Sequence, residues 1–243
     1  MQCQAQDAKF SQLNERIATT QCTRQCRQKW DICDFCIPKC IGWDGMTTTC
    51  SICHPPTLAE LIQSEPAITR LWQALPRRQF APRAVMQSAG ETSTRSWLIE
   101  RGLVRFYYLC AQGTERNRSF HVEGSWIGGG LPPLASPSPY TIETLEATDT
   151  VELSYATLIT WQQQFPAIGP LLGEAMNYLF TTQSQREAQL LTLPPLERYQ
   201  AFLADQSALV DRIPIHHVAS YLGISNVSLS RIRARLGMAH QGR

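Results

Sequence analysis

Acidic side chains are absent from Arg212 to Arg243, a stretch that holds Arg212, Arg231, Arg233, Arg235 and Arg243 together with three histidines. The formal net charge is only +2 over 243 residues. Positive charge is therefore concentrated here, a distribution that suits a phosphate backbone as partner. No run of about 18 apolar residues occurs, so no membrane span is expected. The opening MQCQAQDAKF lacks the apolar core of a signal peptide, and a cytoplasmic location is expected. Cysteine is nearly missing after residue 53: eight of nine lie in the first 53 residues, and Cys110 stands alone beyond them. In a reducing compartment a disulfide framework is not expected, which leaves metal binding, redox chemistry or no folded role. Histidine is also sparse, with His121 the sole one between residues 55 and 215. A metal-dependent cupin-like enzyme, the rival reading from another class, needs clustered His and Glu ligands on facing strands. No enzyme activity is expected.

What is present fits a soluble chain of one large or two modest domains, 43% hydrophobic and 17% charged. The segment RIPIHHVASYLGISNVSLSRIRARL, Arg212 to Leu236, predicts two short helices and a tight turn. Pro214 suits a first helical turn. Val218, Ala219 and Leu222 then share a face. Gly223 permits the left-handed conformation that ends a helix. Ser225 is a good N-cap for the second helix, whose apolar face is Leu229, Ile232 and Leu236. This is the spacing of a DNA-binding helix-turn-helix, with the second helix in the major groove.

ASYLGIS followed by SLSRIRARL resembles the helix-turn-helix of the Crp/Fnr family of bacterial transcription regulators. The resemblance implies a reading helix in which Asn226, Val227 and Arg231 face bases while Ser228 and Ser230 meet phosphates. Arg233, as a phosphate contact, and Arg235 complete the expected DNA-binding set. Better-known members carry a Glu where this chain has Val227, so their operator sequence does not transfer. Val227 can instead touch a thymine methyl. Seven residues follow Leu236, which leaves little room for the β-wing of many members.

Residues 1–56 form a polar, cysteine-rich leader without sustained hydrophobic periodicity. Cys33-x2-Cys36 and Cys50-x2-Cys53 are two close pairs separated by thirteen residues. Together Cys33, Cys36, Cys50 and Cys53 can supply four thiolates to zinc, and an iron–sulfur cluster is chemically possible too. Some Crp/Fnr members sense oxygen through an N-terminal cysteine cluster, but with tighter spacing than here. Met46 also makes a natural start, so that residues 1–45 are either a metal-binding segment or a non-native or unstructured leader. A metal or redox sensor with DNA binding as its output is the alternative that the cysteines keep open.

From Thr57 to Leu75 apolar residues fall at helical spacing, and Pro66 splits the segment into two short helices. Between residues 77 and 155 the period changes to two. Leu103 to Leu109 predicts a strand, Gln112-Gly113 a turn, Arg118 to Val122 a returning strand that Gly124 ends. Gly128-Gly129-Gly130 and LPPLASPSP predict a long loop, and Ile142 to Leu153 resumes strand character. Short strands punctuated by glycine suggest a β-roll or jelly roll. GLVRFYYLCAQGTERNRSFHVEGSWIGGG resembles the cyclic-nucleotide-type β-roll of the same family. Members that answer cAMP place an acidic residue after the turn glycine and an Arg-Ser or Arg-Thr pair at the phosphate. Here those places hold Gly129 and Ser136-Pro137-Ser138-Pro139. An anion needs donors or charge to offset its desolvation, so cAMP is not expected. Trp97 and Trp126 are expected in the core.

Residues 167–193 predict a helix of roughly 40 Å. Leu172, Met176, Leu179, Leu190 and Leu193 form one stripe, interrupted by Gln183 and Arg186; Leu171, Ala175 and Tyr178 form a second. Two apolar faces imply two partners, the roll and a second subunit. Pro194-Pro195 ends the helix. The expected fold is thus α+β. A jelly-roll-like β-roll effector domain occupies 57–166, a dimerisation helix 167–193, and a helix-turn-helix domain 194–243. The resemblance implies a homodimeric, sequence-specific transcription regulator with double-stranded DNA as partner, RNA polymerase as a further candidate and no membrane contact.

Overall fold

The computed structural model describes residues 58–206 and 209–238, which belong to one compact unit. The cysteine-rich leader, with the expected ligands Cys33, Cys36, Cys50 and Cys53, lies outside the described residues.

Helix α1 (Leu58–Ser64) and helix α2 (Pro66–Gln73) meet at Pro66, which opens α2 because its missing N–H is no loss there. Ten short strands follow: β1 (Arg77–Phe80), β2 (Val85–Gln87), β3 (Thr92–Ser93), β4 (Arg95–Arg101) and β5 (Val104–Leu109); then β6 (Glu115–His121), β7 (Trp126–Gly128), β8 (Ser136–Pro137), β9 (Thr141–Thr144) and β10 (Thr148–Ser154). They pair antiparallel in one sheet of order β1-β10-β4-β7 and a second of order β2-β9-β5-β6. A two-residue pairing of β3 with β8 bridges the loop after β7. Trp97, Ile99 and Ile127 from the first sheet and Val104, Phe106 and Ile142 from the second fill the interior, with Tyr140 closing it.

The other face of the first sheet is apolar as well, because alternate residues of β10, Val151 and Leu153, point away from the interior. They pack beneath Leu61, Ile68 and Trp72 of the entry helices and beneath Leu158 and Trp161. The last two sit on helix α3 (Tyr155–Gln164), whose N-cap Ser154 accepts from the Thr157 amide at 3.1 Å. This helix falls within the segment expected to be roll. The continuous strand expected from Ile142 to Leu153 is two strands, one in each sheet, separated by Leu145–Ala147. Leu145 leaves the ladder because its amide bonds the Leu103 carbonyl at 2.7 Å. Trp97 is buried, as expected, and its indole donates to Glu152; Trp126 is half-buried against Trp72.

The long helix α4 (Ile168–Thr192) buries only Ile168 fully. Leu171 and Leu172 rest against the α1–α3 cluster, whereas Tyr178, Phe180 and Leu191 are exposed. Helix α5 (Pro195–Asp205), helix α6 (Ile215–Leu222) and helix α7 (Asn226–Arg235) follow. Their core is Tyr199, Phe202, Leu209, Ile213, Val218, Ala219, Leu222, Leu229 and Ile232. Leu103 from the roll completes it. Expected as the first strand residue, Leu103 instead leaves β5 and plugs into this helical core, fully buried. Gly102 before it has φ +117, and a Cβ there would lie 2.4 Å from Thr148 Oγ1, so only glycine permits the turn.

Polar groups lock the same junction. Arg105 donates to Glu143 at 2.6 Å and to Asn117 at 3.0 Å, and pairs with Glu115 at 2.6 Å. Its guanidinium and the Asn117 amide both approach His217 Nδ1, at 3.3 and 3.2 Å. Because both neighbours are donors, Nδ1 must accept, and the ring is neutral with its proton on Nε2. Ser220 donates to the Glu115 carbonyl and accepts from the Asn117 amide. Arg212 spans Glu123 and Glu146 at 2.7–3.1 Å. Two expectations about charge are thereby corrected: Arg212 is paired with roll carboxylates, and His217 adds no positive charge.

Two half-buried histidines titrate below their ordinary value near 6.5. His121, whose ring lies 4.3 Å from that of Phe106, is pushed down to about 4 by burial and by Arg118. His217 is pushed down to about 3 by burial, then by Arg105, His216 and Arg83. The folded state binds these protons more weakly than the unfolded chain, so stability is full above pH 6.5 and falls as the pH drops toward the folded values. The urea midpoint should be lower at about pH 5 than at about pH 7.5, and His121→Gln with His217→Gln should reduce that difference. An equal midpoint at both pH values would contradict neutral burial of the two rings.

Candidate nucleic-acid interface

The second helix of the C-terminal pair begins where a side chain replaces missing helical acceptors. Ser225, extended at φ −78° and ψ 156°, accepts from the Ser228 amide at 3.2 Å, and the two hydroxyls meet at 2.9 Å. The turn before it depends on Gly223, left-handed at φ +69, whose amide bonds back into α6. Val218, Ala219 and Leu222 of α6 pack on Leu229 and Ile232 of α7. Leu236, expected on the buried face, follows the end of α7 and is 37% exposed; Met238 packs against the core instead.

Burial of Leu229 and Ile232 determines what α7 shows to solvent. At about 100° per residue, Val227, Arg231 and Arg235 lie within about 80° of one another, on the side away from Leu229 and Ile232. All three are exposed, Val227 by 60%. Asn226 and Ser228 are exposed beside this stripe, and Ser230 and Arg233 are half-buried on its flanks. Arg233 sits about 160° around the helix from Arg231, so the two cannot perform the same task. The exposed surface is an unshared arginine pair around an apolar residue, with hydroxyl and amide groups at the N-terminal end. Such a face can donate to guanine acceptors, contact a methyl group and meet phosphates. Ile215 and His216, at the start of α6, are exposed as well.

The roll interior offers a poorer site for a cyclic nucleotide. A Cβ on Gly129 would lie 2.9 Å from both Ser138 Cβ and Oγ, so the place of the family's acidic residue admits no side chain. Ser138 is buried and turns its hydroxyl to the Tyr140 carbonyl at 2.6 Å. Arg118, expected only as a residue of the returning strand, lays its guanidinium over the Tyr140 ring at 4.7 Å. Among the described residues, no group of three His, Cys, Asp or Glu side chains could hold a metal ion, and no helix is long and apolar enough to cross a membrane.

The cap makes a local prediction about helix α7. Ser225→Ala removes the acceptor for the Ser228 amide and should destabilise the protein by about 1 kcal/mol. Denaturant unfolding with an unchanged slope measures this directly. An unchanged midpoint would mean that water caps the helix equally well.

No protein-family model and no curated protein matches the sequence. Solved structures do match. FixK2 from Bradyrhizobium japonicum superposes with a TM-score of 0.64 at 15% identity, covering 70% of this chain and 90% of its own. The c-di-GMP-responsive global regulator CLP from Xanthomonas campestris gives 0.62 at 17% identity, covering 73% of this chain and 95% of its own. A transcriptional regulator of the CRP family from Thermus thermophilus gives 0.55 at 20% identity, covering 68% and 88% respectively. A β-roll, a long helix and a C-terminal helix-turn-helix therefore give this chain the fold of the Crp/Fnr-type regulators.

Proposed function

We propose that the protein is a sequence-specific, DNA-binding transcription regulator of Crp/Fnr type that binds a roughly palindromic operator as a homodimer and does not respond to cAMP. The observation that carries this reading is the exposed stripe of Val227, Arg231 and Arg235 on a capped helix, in a segment without a single carboxylate side chain. In this reading Asn226, Val227 and Arg231 face bases, and Ser228, Ser230, Arg233 and Arg235 hold phosphates. The second copy sits along α4. Its exposed Tyr178 on one side and Phe180 and Leu191 on the other are apolar positions that the chain itself leaves uncovered, and a two-fold axis along this helix sets two reading helices about 34 Å apart. The domain division at residues 57, 167 and 194 belongs to the same reading.

Against cAMP stand the filled place at Gly129 and the buried, self-bonded Ser138. The likeness to a c-di-GMP-responsive protein concerns the fold alone.

Selection of bound sequences from random duplex DNA should return a two-fold-related motif. On that motif Arg231→Ala should lower affinity by about 1–3 kcal/mol and relax preference at one base pair per half-site. Arg233→Ala should weaken specific and random DNA alike and reduce the salt slope by about one. Equal losses on both DNAs for Arg231→Ala would refute the assigned roles. Sedimentation should give twice the 27.4 kDa chain mass, and a monomer that persists on DNA would refute the dimer. Calorimetry with cAMP at micromolar concentration should show no saturable heat; a saturable isotherm would show that the roll binds it.

A further inference from the structure

Arg186 breaks the apolar stripe of α4 at a point where a leucine would continue it. Its side chain does not face solvent with the other polar residues of that helix. It crosses to α6, donates to the Tyr221 carbonyl and lies over the Tyr221 ring, 3.8 Å from its centre. That carbonyl belongs to the last turn of α6, one of the acceptors that a helix end leaves without an intrahelical partner. A cation there also meets the negative end of the helix dipole. One turn further along α4, Leu190 Cδ2 reaches to 3.7 Å of the point where a Cβ on Gly223 would stand. The two residues of α4 thus touch the end of α6 and the left-handed residue that turns the chain into α7.

The Tyr221 ring is itself held from the other side. Phe120 of the roll and Phe202 of α5 each lie 5.5 Å from it, centre to centre. Arg198, at the start of α5, donates to the Leu190 carbonyl at 3.1 Å and so ties that helix to the same stretch of α4. A rotation or shift of α4 would move Arg186 and Leu190 against the turn at Gly223 before it moved any residue that faces DNA.

We infer that Arg186 is a positioning residue, the contact through which the long helix sets the orientation of the reading helix α7. This rests on the DNA-binding reading above and deepens it, since it makes α4 both the surface for a second copy and the support of the reading head. Arg186 acts through Tyr221 and Gly223, and it contacts no DNA in this assignment.

Two substitutions in the full chain test it. Arg186→Met keeps the aliphatic stem and removes the donors and charge; Arg186→Lys keeps the charge but cannot stack and bond as a planar fork. Hydrogen exchange at the Gly223 and Ile224 amides, which bond to the Ser220 and Ala219 carbonyls, reports the turn without any DNA. Exchange there should quicken about tenfold in Arg186→Met and less in Arg186→Lys, while the amides of β4 and β10 stay unchanged. On the selected operator, the preference for specific over random DNA should fall about tenfold in Arg186→Met, with the salt slope unchanged. A salt slope reduced by one would make Arg186 a phosphate contact and overturn the assignment. Wild-type exchange at Gly223 and Ile224 in both variants would overturn it too. Should the wild-type chain select no DNA sequence, the regulator reading fails, and the exchange measurement still decides whether Arg186 holds the turn. If Arg186→Met does not fold, Arg186→Lys with exchange equal to wild type overturns the inference by itself.

Discussion

A single buried guanidinium governs how the roll and the helix-turn-helix meet. The Arg105 side chain is 5% exposed and has two carboxylates, an amide oxygen and an imidazole nitrogen around it. Taking a cation out of water costs several kcal/mol unless its donors are matched, and here Glu143, Glu115, Asn117 and His217 match them. The partners come from β9, β6 and α6, so the charge is satisfied only while those three elements keep their places. Apolar burial of Leu103 is non-directional and by itself fixes the docking angle less than bonded groups do. The polar network removes that freedom, because each hydrogen bond has a direction.

The first helix of the pair is consequently the most constrained element near the candidate interface. His217 and Ser220 tie its outer face to the β5–β6 hairpin, Val218 and Leu222 anchor its inner face, and Tyr221 meets α4 at its end. Helix α7 has fewer ties: Leu229 and Ile232 hold it to α6, and its opposite side is open. A reading helix needs that openness to enter a groove, so its orientation has to be inherited from a neighbour. The structure places the restraint on α6 and leaves the outer side of α7 exposed.

The helix pair was legible in the sequence because local chemistry specifies it. Gly223 must be left-handed, Ser225 must cap, and the 3.6-residue period marks the buried face; the structure places each of them so. The break at Pro66 and the hairpin at Gly113 were legible for the same reason. What was not legible is tertiary. Nothing in the run Ile142 to Leu153 announces that Leu145 pairs with Leu103 across the chain, and so a two-strand corner reads as one strand. Helix α3 did carry signals, a Ser154 cap and Leu158 with Trp161 three residues apart, but they followed a strand of similar hydrophobicity. For the candidate site, the exposed positions on α7 could be read from helical periodicity. The pairing of Arg212 and the neutral state of His217 could not, since their partners lie 66 to 112 residues away in sequence.

Those distant pairings also explain how a chain of net charge +2 can present a positive face. Four roll carboxylates close to the helical pair, Glu115, Glu123, Glu143 and Glu146, are each bonded to Arg105 or Arg212. Pairing does not cancel them fully, since four negative charges meet two positive ones and the Glu115, Glu123 and Glu146 side chains stay 36–43% exposed. Glu123 shows the effect, its carboxyl held down at about 2 mainly by the Arg212 hydrogen bond. The arginines of α7 have no carboxylate on their own helix or on α6 to draw them back. Their field therefore extends outward over roughly a Debye length, about 8–10 Å at physiological salt. Arg105 and Arg212 thus hold these four carboxylates in ion pairs that do not include Arg231, Arg233 or Arg235.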